Sequence, residues 1–225
     1  SAGGDTAMTV SESTKTRRHM IELSGLMPET TYTYTLGQSK DEYTFKTAPL
    51  SDSAFRFMVY DATRFFTKAE TDAFVEQVNS HLPDFVIITG SLTEMNYQDE
   101  ENWFFTRTRL GSRIPIFLVP SKKDLENPGS ADAYCATLPS RHNGSDFCFD
   151  YGNSRFIILG PETSLMQKNM SRPAWLRELT QETGRPEHLF LVSGSGSWHE
   201  EEITATIADL GRQKRITTLI RAPGT

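Results

Sequence analysis

The sequence predicts an α/β layered domain preceded by a small antiparallel β unit. Two observations carry this. From residue 55 onward, short apolar runs alternate with stretches of helical periodicity. Before residue 49, polar and apolar residues alternate with period two and are broken by Gly and Pro. A third observation bounds the answer: 225 residues with 37% hydrophobic and 23% charged content suit a folded chain with a real core.

The β unit spans residues 1–48. Residues 19–23 alternate and run into a Ser24-Gly25-Leu26-Met27-Pro28 turn. Residues 31–36 alternate again, with Tyr32 and Tyr34 on one face, and residues 43–47 form a third short strand. Three or four strands are too few for a full sandwich. Residues 49–54 read as a linker, and 55–225 as the α/β domain.

In that domain, residues 55–60 are a strand, and 68–82 a helix with Phe74, Val75, Val78 and Leu82 on its apolar stripe. Residues 84–89 are a buried strand closed by Gly90, 100–110 a helix, and 114–119 another buried strand. A β pair, 147–151 and 155–159, turns at Gly152-Asn153. Helix, strand, helix and strand follow at 175–183, 189–192, 200–210 and 216–220. In such sheets chemistry gathers beyond the carboxyl ends of strands, here at Asp61, Gly90, Pro120, Ser193 and Arg221.

The net charge of −6 and the absence of a basic patch argue against nucleic-acid binding. No apolar run approaches the roughly 18 residues of a membrane span. Cys135 and Cys148 flank a polar, turn-rich insertion. A bridge between them would close that loop, contribute about 3 kcal/mol and imply an oxidising compartment; two unrelated thiols are the other reading. Sequons at Asn143 and Asn169 are compatible with secretion and glycosylation. The opening Ser1-Ala2-Gly3-Gly4-Asp5 reads as the ragged end of a processed or trimmed chain.

Residues 19–36 (HMIELSGLMPETTYTYTL) and 43–49 (YTFKTAP) resemble the last strands of the fibronectin-like module that precedes many secreted metallophosphoesterases. The rest resembles the catalytic domain of that family, of the purple acid phosphatase kind. The resemblance is carried by residues 55–64 (FRFMVYDATR), 83–94 (PDFVIITGSLTE), 103–124 (WFFTRTRLGSRIPIFLVPSKKD), 147–160 (FCFDYGNSRFIILG), 188–200 (HLFLVSGSGSWHE) and 215–225 (RITTLIRAPGT). It implies a layered β-sandwich flanked by helices. It also implies two metal ions that clamp phosphoryl oxygens and generate a hydroxide nucleophile.

The sequence departs from the family at the ligand positions. Asp61 survives, but Tyr60 replaces the preceding glycine, and Ser91 stands where the second Gly-Asp has its aspartate. Gly-Asn-His-Asp has become Ser121-Lys122-Lys123-Asp124. The histidine-bearing strand end reads Ser193-Gly194-Ser195, and the last motif Arg221-Ala222-Pro223-Gly224-Thr225. A serine cannot supply a bridging carboxylate's charge, and an ammonium offers no lone pair. Of five histidines none falls on a ligand position; His199, beside Trp198 and Glu200, is the candidate to hold a single metal with Asp61. The Ser-Gly run 193–197 reads as a flexible loop rather than a nucleophile elbow.

Three readings follow. The first is a secreted or surface pseudoenzyme without catalytic residues or metal cofactor, working through an unknown protein partner or self-assembly. The second is a divergent phosphoesterase using Asp61, Asp124 and His199. The third is an anion-binding module in which Lys122 and Lys123 substitute fixed cations for metals and hold a small anionic ligand. The family adds a further motif and more sheet beyond the last strand, so two alternatives stand: a missing C-terminal part, or a chain that completes its fold with a neighbour.

Overall fold

The computed structural model describes residues 8–12, 19, 21–50, 53–62, 67–90, 108–126, 134, 138, 142–161, 168–184, 186–194 and 201–221. The first two strands, β1 (Thr31–Tyr34) and β2 (Tyr43–Lys46), pair antiparallel, with Tyr32 opposite Phe45 and Tyr34 opposite Tyr43. Tyr32 and Phe45 stack with ring centroids 5.6 Å apart. The Tyr32 hydroxyl accepts the Met27 N–H at 2.8 Å, tying the strand back to the turn before it. This is the local arrangement of a tyrosine corner. Residues 19 and 21–23, expected as a strand, form none, and Ile21 and Leu23 are exposed. Alternation specifies a strand only where a neighbouring strand completes its hydrogen bonds.

The α/β part begins with β3 (Phe57–Ala62), then α1 (Lys68–His81), β4 (Phe85–Gly90) and β5 (Ile116–Pro120). The three strands are parallel in the order β3-β4-β5. A capping box starts α1: Thr67 Oγ1 accepts the Glu70 N–H at 3.2 Å, and Glu70 Oε2 accepts the Thr67 N–H at 2.8 Å. Phe74 and Val78 are buried as expected, but Leu82 is 71% exposed. It is the left-handed cap (φ 47) that ends the helix before Pro83, so it leaves the apolar stripe. Of the helix expected over 100–110, residues 100–107 lie outside the described residues. Leu110–Ser112 forms a single 3-10 turn, on whose Ser112 carbonyl the Tyr34 hydroxyl rests at 3.5 Å.

A second, mixed sheet has the order β10-β9-β8-β7-β6. Its strands are β6 (His142–Asn143), β7 (Asp146–Tyr151), β8 (Ser154–Leu159), β9 (His188–Ser193) and β10 (Thr218–Arg221). The helices α2 (Arg172–Gln181) and α3 (Glu201–Arg212) precede β9 and β10. β7 and β8 turn through Gly152-Asn153 with Gly152 at φ 57, against which Pro49 and Phe55 pack. All six residues of β8 are buried, as expected of a strand covered on both faces.

The layers follow from the side chains. Phe85, Ile87 and Val119 of the first sheet pack against Phe147, Phe156, Ile158 and Val192 of the second. The outer face of the first sheet, with Val86 and Ile88, is covered by Phe74 and Val78 of α1. That of the second, with Cys148, Ile157, Leu159 and Leu191, is covered by Trp175, Leu176, Ile203 and Ile207 of α2 and α3. The result is helix, sheet, sheet, helices. Between the sheets runs an aromatic row: Phe149, Phe156 and Phe190 are neighbours in register on three strands. Phe117 stacks on Phe149 at 3.6 Å between centroids.

Candidate functional site at the carboxyl ends of the strands

Register brings the strand ends into line. Asp61 lies opposite Thr89, and Gly90 opposite both Ala62 and Pro120. In the other sheet Ser193 lies opposite Leu159 and Arg221. The two rims meet: a Cβ on Gly194 would sit 3.4 Å from Val119 Cγ1 and 3.5 Å from the Pro120 carbonyl. The ends of β3, β4, β5, β9 and β10 therefore form one edge of the molecule, where α/β folds place their chemistry.

Asp61 is half-buried there, and Thr89 donates its hydroxyl to Asp61 Oδ1 at 3.4 Å. Beside it, burial pushes the Tyr60 phenol above its ordinary value, with Glu70 and Asp61 adding to the shift. Ser91 and His199 lie outside the described residues. Ser193 is fully buried, and its Oγ finds no hydrogen-bond partner among the described residues. Neighbouring Leu189 and Leu191 face α2 and α3, so strand alternation turns Ser193 to that side, away from the first sheet.

The turn after β5 is the most informative part. Lys122 and Lys123 are exposed, while Asp124 is 4% exposed. Asp124 Oδ2 accepts the Ser121 N–H at 2.7 Å and the Ser121 hydroxyl at 2.8 Å. The Asp124 N–H in turn donates to Ser121 Oγ at 3.4 Å. This reciprocal bonding spans the turn that leads into the 3-10 turn Lys123–Leu125, whose own N-cap, Lys122, makes no side-chain cap bond. The pattern Ser-x-x-Asp signals it in the sequence, and reading Ser121–Asp124 only as a broken ligand motif passes over it.

A two-metal phosphoesterase centre needs several anionic or neutral donors converging on one point. The described side chains at this rim include one carboxylate that already accepts from Thr89, two exposed ammonium groups, a carboxylate bonded to Ser121, a buried hydroxyl and the guanidinium of Arg221. That donor set does not fit such a centre. Among the described residues no three His, Cys, Asp or Glu side chains cluster to hold a metal ion.

A second polar cluster, not anticipated from the sequence, lies near the same edge of the second sheet. Arg172 Nε and Nη2 each donate to Asp146 at 2.7 Å, and Nη2 also donates to the Gly160 carbonyl at 2.8 Å. Gly160 donates its N–H to Asp146 Oδ1 at 3.0 Å. A side chain at Gly160 would come within 2.6 Å of the Ser145 carbonyl, so glycine permits the approach. Burial pushes the Asp146 carboxyl up to about 6, against the opposing pull of Arg172, Lys168 and the Gly160 amide. The 26-residue separation leaves no local signal for this pair.

The remaining expected sites separate. Asn143 is buried: its Oδ1 accepts the Asn169 and Met170 N–H groups at 2.7 and 3.2 Å, and its Nδ2 donates to the Met170 carbonyl at 3.0 Å. Asn169 is exposed. Cys148 is buried in β7 against the α2 and α3 layer; Cys135, its expected bridge partner, lies outside the described residues. No helix of the described residues is long and apolar enough to cross a membrane.

No family model matches the chain. Its sequence is 23% identical over 216 residues to purple acid phosphatase 23 of Arabidopsis thaliana. The match takes in 78% of this chain and 47% of that protein, so the chain spans about half the length of this curated relative. This distant similarity supports a metallophosphoesterase-like relationship on a mixed α/β fold.

Proposed function

We propose that the chain is a metallophosphoesterase-like pseudoenzyme that acts outside the cytoplasm as a binding or structural component. Residues 1–48 are the end of a fibronectin-like β module, 49–54 its connection, and 55–225 the phosphoesterase-like domain. The observation that carries the reading is the turn after β5: Asp124 is drawn inward to cap its own backbone, and two lysines stand beside it. The Tyr32–Met27 hydrogen bond supports the fibronectin-like part. A metal assay of the purified protein, paired with an aryl-phosphate hydrolysis assay, tests the proposal. The expected outcome is no stoichiometric metal and no turnover. Two tightly bound metals together with turnover would overturn it.

A second reading concerns the ligand. Lys122 and Lys123 are adjacent and exposed at the end of β5, a disposition suited to a small oxyanion such as phosphate or sulfate. Calorimetric titration of inorganic phosphate into the protein and into Lys122→Ala/Lys123→Ala tests it. Saturable binding lost in the double variant supports the reading, and equal heats in both remove it.

A further inference from the structure

The connection from α3 to β10 carries cations that neither the fold nor the rim accounts for. It reads Arg212-Gln213-Lys214-Arg215, the densest basic run among the described residues of a chain whose net charge is −6. Residues 211–214 are exposed. A cation in the last turn of a helix complements its dipole, and Arg212, the end of α3, also meets Asp209 at 3.4 Å. That reason stops at the helix end. Lys214 lies past it at φ 53, a backbone conformation that favours glycine, and its ammonium meets no described residue. Arg215 is half-buried, and its guanidinium reaches the Thr180 carbonyl at 3.4 Å, a marginal bond. Helix geometry explains Arg212 and gives Lys214 and Arg215 no comparable role.

The same stretch opens cheaply. Its turn is closed by the Lys214 N–H on the Gly211 carbonyl at 3.0 Å and the Arg215 N–H on the Leu210 carbonyl at 2.9 Å. Beyond it, β10 pairs with β9 alone among the described strands, and three of its four residues are exposed. An edge strand with so little burial unpairs locally at low cost, and exposed turns beside such strands are where proteases cut. We propose that the Arg215–Ile216 bond is a processing site for a subtilisin-type protease with acidic subsites. Those subsites read arginine, lysine and arginine at the fourth, second and first residues before the cut. Water adds across the Arg215–Ile216 amide: the carbon–nitrogen bond breaks, Arg215 keeps a carboxylate and Ile216 gains an ammonium. β10 then loses its covalent tie to α3. It keeps its ladder to β9 and the two bonds between Thr217 and Leu189, at 2.8 and 3.0 Å. The new ammonium arises on Ile216, which packs against the apolar α2 and α3 layer, so the cut weakens the seat of β10. This site lies apart from the rim and does not rest on the metal-free reading.

The test is incubation of the folded chain with a subtilisin-type protease specific for paired basic residues, the fragments being weighed by mass spectrometry. The expected result is a cut after Arg215, which yields a piece beginning at Ile216. Arg215→Gln is expected to abolish that cut. Arg212→Gln and Lys214→Gln are each expected to slow it about tenfold or more, one charge being lost from one acidic subsite. Lys214→Gly suits the left-handed backbone, so it melts no lower than the native chain and is cut as slowly as Lys214→Gln. It keeps the test valid should another variant fail to fold. A folded chain that resists at Arg215 while the heat-denatured chain is cut there would overturn the proposal. So would cleavage confined to Arg18, in the other basic run Lys15-Thr16-Arg17-Arg18, or equal rates for the native chain and Lys214→Gly.

Discussion

Arg172 grips Asp146 through two hydrogen bonds of 2.7 Å at a point where their side chains are 1% and 0% exposed. The pair fastens the start of α2 to the start of β7 and to Gly160 just past β8. Its energetics differ from those of surface ion pairs, because neither group can turn to water if its partner is removed.

Arg172→Ala is therefore expected to lower unfolding free energy by about 3–5 kcal/mol, leaving a buried carboxylate without its cation. Urea denaturation measures this. A loss below about 1 kcal/mol would mean that the site is solvated in the native protein.

The same carboxyl gives a pH signature. Asp146 rests at about 6 in the folded chain against an ordinary value of 3.8, so between those values the folded state holds a proton that the unfolded state has released. Stability contributed by this group falls as pH rises from about 4 to about 6 and is level above that. The melting temperature of the native chain minus that of Asp146→Asn should shrink across this interval. A difference that grows instead would show that Arg172 outweighs burial and holds the carboxyl below its ordinary value.

Asn143→Ala removes the acceptor of two backbone N–H groups and a donor to Met170. The expected cost is roughly 1–3 kcal/mol, with faster hydrogen exchange at the Asn169 and Met170 amides. Unchanged exchange at both amides would refute the clamp. In protein made by a secretory host, any glycan is expected on exposed Asn169 and none on Asn143, whose Nδ2 is engaged; glycopeptide mapping decides.

Ser193→Ala is expected to be neutral or to stabilise by up to about 1 kcal/mol, since it deletes a buried hydroxyl that has no described partner. A clear loss of stability on this substitution would show that the hydroxyl is bonded in solution.

Much of the fold was legible because it is written in contiguous runs. Strands 84–89 and 189–192 were expected from apolar stretches and occur as Phe85–Gly90 and His188–Ser193. The exits at Gly90, Pro120, Ser193 and Arg221 fall at the observed strand ends, while β3 runs one residue past Asp61 to Ala62. What escaped depends on geometry. Leu82 fits the helical period, yet its backbone turns left-handed. Residues 19–23 alternate in sequence, yet 19 and 21–23 form no ladder among the described residues. Asp124 looked like the relic of a ligand motif, and only the folded turn reveals what it bonds. The Arg172–Asp146 pair leaves no local mark, because its members lie 26 residues apart. At the candidate site the positions of the strand ends were readable, whereas the engagement of each side chain was not.

The aromatic row between the sheets has a consequence of its own. Phe57 and Phe85 are the first residues of β3 and β4, and Phe85 sits about 17 Å along its strand from Gly90 at the rim. Cohesion is concentrated at one pole of the sandwich, and the surface open to chemical change lies at the other. Substitutions at the rim therefore leave the contacts of Phe57 and Phe85 in place.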